Sequence, residues 1–273
     1  MNRVKLARSL SAIENGDMEV DDADGRIFAI TGPPGVGKSC LIDSILHRLA
    51  PEFSVAVLAV DPTSPLSGGA LLGDRIRLTV LDDKEKSDSI YFRSVATRSS
   101  IGSIPSVVKS LANFLVLEAF DLVIIETVGA GQSETRCAAV ANRIIVVEGP
   151  ARGDGIQAEK AGLLELADLI VVNKSDIDGA QRVVNDLKMS LSINQEPPPI
   201  ITTSALTGDG INELVKMMLS LEERESSKRA RCRQQLIMAH ENTIVNNPNF
   251  EEVIDRISQE GLSIEEALRE LID

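Results

Sequence analysis

The chain has 273 residues, a formal net charge of −13, 43% hydrophobic residues and 25% charged residues, values of a globular protein rather than a disordered or fibrous one. No apolar run approaches the ~18 residues of a membrane span, and the acidic balance argues against the basic footprint that a nucleic-acid surface needs. One Tyr, six Phe and no Trp leave few stacking platforms for single-stranded nucleic acid.

The N-terminus lacks a charged-then-apolar leader pattern. A cytoplasmic chain is therefore expected, with neither membrane nor nucleic acid as partner. Cys40, Cys137 and Cys232 are far apart and show no CxxC spacing. They read as reduced thiols, and with His47 and His240 as helix-packing residues rather than metal ligands.

In chain order, residues 1–22 read as a short helix, with Val4, Leu6, Ala7, Leu10 and Ile13 among its apolar positions, followed by an acidic loop. Apolar runs at 26–31, 54–60, 89–94, 121–126, 144–147, 168–173 and 199–203 then alternate with expected helices near 38–49, 103–118, 132–140, 156–166, 178–191 and 210–221. Near-continuous apolar strands separated by helices predict an α/β fold with a mostly parallel sheet covered on both faces. After residue 221 a charged, helix-favouring stretch leads to the breaker Asn246-Asn247-Pro248-Asn249 and to two short helices split at Gly261. Ser263 and Glu266 have the spacing of a capping box. These last helices look too few for a core of their own. The expected organisation is an N-terminal helix (1–22), a nucleotide domain (23–221) and a C-terminal helical extension (222–273).

The octapeptide Gly32-Pro33-Pro34-Gly35-Val36-Gly37-Lys38-Ser39 reads GxxxxGKS between a predicted strand and a predicted helix. That context is the one a phosphate-binding P-loop requires. Its glycines allow a tight turn whose N–H groups converge on phosphate oxygens, and the helix N-terminus adds the positive end of its dipole. Lys38 can reach the β- and γ-phosphates, and the Ser39 hydroxyl can ligate Mg2+.

The base is read further along. Asn173-Lys174-Ser175-Asp176 follows the apolar run 169–172 and forms an NKxD tetrapeptide, the guanine reader of GTPases. The Asp176 carboxylate can accept from guanine N1–H and the 2-amino group, a donor pair adenine lacks. The Lys174 stem can lie over the base, and Asn173 can tie this loop to the phosphate loop. Thr203-Ser204-Ala205-Leu206 resembles the second guanine loop, in which the Ala N–H meets O6. The competing reading of Asp176 is the N-cap of the next helix. For the metal, Asp121 to Gly129 forms an apolar strand ending in Glu126, with Gly129 three residues on. This is Walker B geometry, in which the acid holds Mg2+ and the Gly N–H faces the γ-phosphate. Asp61 and Asp74 read on spacing alone as cap or turn residues.

Together these residues resemble the MeaB/ArgK-type P-loop GTPases, relatives of the nickel-handling GTPases HypB and UreG. The resemblance is carried by VDPTSPLSGGALLGDRIRL (60–78), IGSIP (101–105), DLVIIETVGAGQSE (121–134), GDGIQAEKAGLLELADLIVVNKSD (153–176) and TSALTGDGI (203–211). It implies a P-loop NTPase fold and a homodimeric GTPase chaperone of an adenosylcobalamin-dependent acyl-CoA mutase, of methylmalonyl-CoA mutase type. GTP hydrolysis would be coupled to cofactor loading and protection. By the same resemblance Ser39, Asp61, Asp74 and Glu126 surround Mg2+, and Gly153 to Lys160 form a switch that contacts the client. Gln157 and Lys160 join Lys38 as the expected catalytic residues, and Gly35, Val36, Gly37, Lys38, Ser39, Cys40, Gly129, Asn173, Lys174, Asp176, Ser204, Ala205 and Leu206 as the expected GTP/GDP contacts. Departures are Cys40 where Thr is common, RSVATRSS (93–100) in place of a Ser-Pro-rich segment, and Asn142 in place of a frequent Asp. Two alternatives remain at this stage. One is a metal-insertion GTPase of the HypB/UreG type, for which Cys137 is the candidate ligand near the switches. The other is a regulatory module that holds GTP with little hydrolysis.

Overall fold

The structure is a computed structural model that describes residues 2–61, 78–96, 104–127, 133–150, 158–194 and 196–272, the side chains at 133, 134, 158–161 and 226 excepted. Seven strands form its sheet: β1 (Ile27–Thr31), β2 (Val55–Asp61), β3 (Ile90–Ala96), β4 (Leu122–Glu126), β5 (Arg143–Glu148), β6 (Leu169–Val172) and β7 (Ile200–Thr202). Their order is β3-β2-β4-β1-β5-β6-β7, and every pairing is parallel. All strand C-termini therefore share one edge. From β1 the chain winds first toward β3 and then, after β4, crosses to β5 and toward β7. The crevice where the winding direction changes is where open α/β sheets bind ligands.

The helices are α1 (Arg3–Asn15), α2 (Lys38–Leu49), α3 (Lys84–Ser87), α4 (Val107–Leu117), α5 (Ser133–Arg136), α6 (Ala158–Leu166), α7 (Ala180–Leu191), α8 (Ile211–Ser220), α9 (Glu225–Val245), α10 (Phe250–Glu260) and α11 (Ile264–Ile272). Alternate strand residues feed two cores, because successive side chains in a strand point to opposite faces. Phe28, Ile30, Val57, Ile124, Ile145 and Val171 pack with α2 and α8. Ala29, Leu58, Ile125, Val146 and Val172 pack on the other face with α1, α4, α6 and α7.

The expected elements are present, with differences that have local causes. The helix expected at 132–140 is the short α5 followed by a 3-10 turn over Cys137–Ala139, whose residues are buried against α9 and the sheet. Tight 3-10 turns of this kind are frequent at helix termini. Cys137 is enclosed, whereas Cys40 and Cys232 are exposed and do not have the packing role expected of them. The C-terminal helices do enclose a small core, with Val253, Ala267 and Leu271 buried among Ile244, Phe250, Ile257 and Leu262. At the start of α11 the capping box closes in both directions: the Glu266 N–H donates to Ser263 Oγ at 3.2 Å, and the Ser263 N–H donates to Glu266 Oε2 at 3.3 Å. No helix of the described residues is long and apolar enough to cross a membrane.

Candidate active site

Buried polar side chains are costly unless they are paired, so their location is informative. Thr31, Asp61, Glu126, Thr127, Glu148, Asn173, Thr203 and Ser204 are all buried, and each stands at or just past the C-terminal end of a strand. Eight polar groups thus gather along the edge where the P-loop leaves β1.

The P-loop takes the conformation its glycines permit. Gly32, Gly35 and Gly37 have φ of 141°, 81° and 91°. At Gly32 a Cβ would lie on the Val147 carbonyl oxygen of β5, and at Gly37 it would come within 2.8 Å of Asn173 Nδ2. Only glycine therefore lets the loop run between β5 and the NKxD segment. Lys38 is buried, and its Nζ donates to the carbonyls of Gly32 at 2.6 Å and Pro33 at 3.1 Å. The ammonium is held over the loop it would share with phosphate.

Asn173 is the joint between the phosphate and base ends. Its Nδ2 donates to the Val36 carbonyl at 2.9 Å. Its Oδ1 accepts from the Ala205 N–H at 3.1 Å and from Thr203 Oγ1 at 3.3 Å. The Ala205 N–H expected to meet guanine O6 is thus engaged by Asn173 and would have to be shared with a base. Lys174 stands at φ 61°, and its Nζ donates to the Gly35 carbonyl at 2.7 Å. This lays its aliphatic stem between the two loops. Asp176 is exposed, and the N-cap of α7 is Gly179, so Asp176 does not cap that helix. Ser204 is fully buried and shapes its loop by accepting the Thr207 N–H at 3.2 Å, whereas Leu206 is 87% exposed.

At the metal end, Ser39 Oγ donates to Glu126 Oε1 at 2.7 Å. Strand parity brings Asp61 to the same place. Ala59 of β2 is in register with Glu126 of β4, so Asp61 lies two residues on and on the same face. Two buried carboxylates and a hydroxyl beside the P-loop form a hard-oxygen set. That suits Mg2+, which commonly keeps several waters and takes one or two carboxylates plus phosphate oxygens. Asp74, Gly129 and Gln157 lie outside the described residues. Lys160 is on α6, but its side chain lies outside the description.

The sequence reading missed Thr31 and Thr127. Thr127 Oγ1 donates to Thr31 Oγ1 at 2.8 Å, and both are buried at the ends of β4 and β1. The available signal was a polar residue closing an otherwise apolar strand.

The profile of the family described as methylmalonyl Co-A mutase-associated GTPase MeaB matches residues 19–261. The chain belongs to the MeaB family. Among MeaB relatives, a Pyrococcus horikoshii protein named as a GTPase is 36% identical over 264 residues, covering 89% of this chain and 82% of that one. The Escherichia coli GTPase ArgK is 36% identical over 196 residues, covering 68% and 58%. A fused isobutyryl-CoA mutase of Paraburkholderia xenovorans is 31% identical over 235 residues, covering 78% of this chain and 18% of that much longer one. The fold is that of the LAO/AO transport system kinase crystal structure, with a TM-score of 0.59 at 24% identity over 99% of this chain and 92% of the other. It is also that of Helicobacter pylori HypB in complex with nickel, with a TM-score of 0.55 at 17% identity over 80% and 94%.

The MeaB P-loop geometry makes a prediction at Gly37. Gly37→Ala is expected to weaken GDP binding about tenfold or more, since a non-glycine residue at positive φ costs ~1–2 kcal/mol and its Cβ also displaces the Asn173 amide. Titration with a fluorescent GDP checks it, and wild-type affinity in the variant would refute the assigned loop conformation.

Proposed function

We propose that this protein is an Mg2+-dependent GTPase that acts as a chaperone of an adenosylcobalamin-dependent acyl-CoA mutase, of the methylmalonyl-CoA mutase type, with GTP hydrolysis coupled to cofactor loading and protection. The observation that carries the mutase part is the fused relative, in which a segment like this chain occupies 18% of a mutase polypeptide. A unit fused to a mutase in one protein is a natural partner of a mutase when it is a separate chain.

The chemistry follows from the site. GTP entering the P-loop draws Lys38 Nζ from the Gly32 and Pro33 carbonyls onto the β- and γ-phosphate oxygens, exchanging two neutral acceptors for a charged one. Mg2+ would supply further neutralisation of phosphoryl charge for in-line attack by water. Ser39, Asp61 and Glu126 would hold it, joined by Asp74. Asp176 selects guanine, Asn173 keeps the base loop in register with the phosphate loop, and Lys174 lies across them. Gln157 and Lys160, on the segment assigned to the client-contacting switch, would add charge stabilisation at the γ-phosphate. No glutamine directly follows Gly129, and Gln132 is displaced along the chain. Turnover without the client should therefore be slow.

The test is phosphate release by wild type and Lys38→Ala, each with and without a candidate mutase. Wild type should hydrolyse GTP and respond to the mutase, and Lys38→Ala should fall to background. An undiminished rate in Lys38→Ala would remove the P-loop as the active site, and no response to any adenosylcobalamin-dependent mutase would remove the chaperone role. The reading as a nickel-insertion GTPase rests on fold likeness to HypB. Of the three cysteines, Cys137 is enclosed in the core, and among the described residues no group of three or more His, Cys, Asp or Glu is placed to hold a metal.

A further inference from the structure

Helix α2 meets the nucleotide loops at two levels. Its N-terminus carries Lys38 and Ser39 at the phosphate end. Further along, Ser44 stands half-buried beside the loop that follows β7, and its hydroxyl donates to the Ala205 carbonyl at 3.2 Å. The same Oγ lies 3.0 Å from the carbonyl of Cys40, one turn back on α2. A hydroxyl carries one proton, so the two carbonyls share it. The Cys40 carbonyl also takes the Ser44 N–H in the regular helical pattern. Tilting the hydroxyl proton toward Ala205 therefore leaves no helix carbonyl stranded.

Ala205 is thereby held on both sides of its Cα. Its N–H donates to Asn173 Oδ1 at 3.1 Å, and its carbonyl accepts from Ser44. Its methyl group packs against the core that contains Leu41 and Ile45 of α2 and Leu214 of α8. The rest of the loop closes on itself. The Ser204 N–H donates to the Asp209 carbonyl at 3.0 Å, the Gly208 N–H to the Ser204 carbonyl at 2.8 Å, and Thr207 Oγ1 to Asp209 Oδ2 at 2.6 Å. A displacement of Ala205 would move this loop as a unit.

The two ties differ in what a nucleotide does to them. A purine with an oxygen at C6 competes with Asn173 for the Ala205 N–H, so that tie weakens as the base enters. The Ser44 tie uses the other peptide group of Ala205 and is left intact. We propose that Ser44 is a positioning residue for recognition of 6-oxopurine nucleotides, holding Ala205 from the P-loop helix while its N–H passes from Asn173 to the C6 oxygen. This rests on the proposed reading of the site as a guanine site. Ser44 itself would touch neither base nor phosphate. Its loss should weaken purines that carry a good acceptor at C6 and spare the discrimination that Asp176 exerts at the 2-amino group.

The experiment compares Ser44→Ala with wild type by displacing a fluorescent GDP with GDP, IDP, 6-thio-GDP and ADP. Alanine is the best helix former, so α2 should be preserved. IDP lacks the 2-amino group and keeps the C6 oxygen. In 6-thio-GDP both base donors remain and sulfur, a weak acceptor, replaces that oxygen. One neutral hydrogen bond is worth roughly two- to tenfold in affinity. Wild type is expected to prefer GDP over 6-thio-GDP about tenfold. In Ser44→Ala the affinities for GDP and IDP should each fall about fivefold, and that for 6-thio-GDP less than about twofold. The preference for GDP over 6-thio-GDP then shrinks while the GDP-to-IDP ratio stays as in wild type. No loss, or an equal loss for every nucleotide, keeps that preference at its wild-type value and overturns the proposal, the equal loss marking a merely structural role. A wild type that selects GDP over ADP yet binds 6-thio-GDP as tightly as GDP overturns it and leaves the guanine reading standing. A wild type without preference for GDP over ADP overturns it together with that reading.

Discussion

Asp176→Asn is expected to move base preference from guanine to xanthine. The carboxylate has two acceptor oxygens and no donor, which matches the N1–H and 2-amino donors of guanine. It stands exposed past the end of β6, on the loop fixed by the Ser175 N–H donating to the Thr203 carbonyl at 2.9 Å and by the Asn173 contacts with Val36 and Ala205. An asparagine keeps one acceptor for N1–H but turns an NH2 toward the 2-position. Guanine presents a donor there, so two donors would oppose each other. Xanthine presents a carbonyl and restores the pair. Sites built on paired polar groups discriminate by ~10^4–10^5 against ligands that leave them unpaired. Part of that range is expected here because the position is open to water. GTP affinity should fall about 10^3-fold, and XTP should become the tighter ligand. Competition of GTP, XTP and ATP against a fluorescent guanine nucleotide gives the ranking. If GTP remains the tighter ligand in the variant, Asp176 does not read the base.

How much of this site was legible in advance depended on whether the information was local. The P-loop, the NKxD tetrapeptide and the seven apolar runs are each contained in a few consecutive residues, and period and turn chemistry expose them. The convergence of Asp61 with Glu126 is of another kind. It follows from the register of Ala59 with Glu126, a pairing between strands distant in sequence that nothing in either segment specifies. On spacing alone Asp61 accordingly read as a cap or turn residue, and only the family resemblance set it beside Glu126 before the sheet register was known. The Asp43 carboxylate was illegible for the same reason: it accepts the Val80 N–H at 3.0 Å and the Thr79 hydroxyl at 2.6 Å, a cap supplied across elements and not within one. The break of the expected 132–140 helix at Cys137 reflects packing on α9, a tertiary contact that overrides local helix propensity. The engagement of the Ala205 N–H by Asn173 was equally out of reach, because a motif names residues and not their partners.

Asp168→Ala should be the most destabilising single change in the chain outside the nucleotide site. Asp168 lies at the start of β6, on the opposite edge of the sheet from the P-loop, and is fully buried. Its two oxygens accept from the Ile144 N–H at 2.8 Å, from Arg231 Nη1 and Nη2 at 2.8 and 2.9 Å, from Ser227 Oγ at 3.2 Å and from the Arg224 N–H at 3.3 Å. Ser227 and Arg231 are one turn apart on α9, so a single carboxylate fastens that helix to the sheet. Arg224 strengthens the same joint by donating to the Ala167 carbonyl at 2.6 Å. Removing the carboxylate leaves the Arg231 guanidinium, also buried, with Glu223 3.1 Å from its Nε as the remaining counter-charge. Breaking one partner of a buried pair costs about 3–5 kcal/mol, which for a chain of this size corresponds to roughly a 10 °C fall in Tm. Replacing both partners together should cost less, because an apolar pair leaves no stranded charge. Asp168→Leu with Arg231→Met is therefore expected to recover part of the loss seen in Asp168→Ala. Thermal melts of the two variants give the comparison. A double variant no better than the single one would mean that the stranded charge is not what destabilises. GDP affinity should change little in the double variant below its melting temperature, since the joint sits at the far edge of the sheet from Lys38 and Asn173. A loss of affinity there would show that seating α9 is also required to shape the nucleotide site.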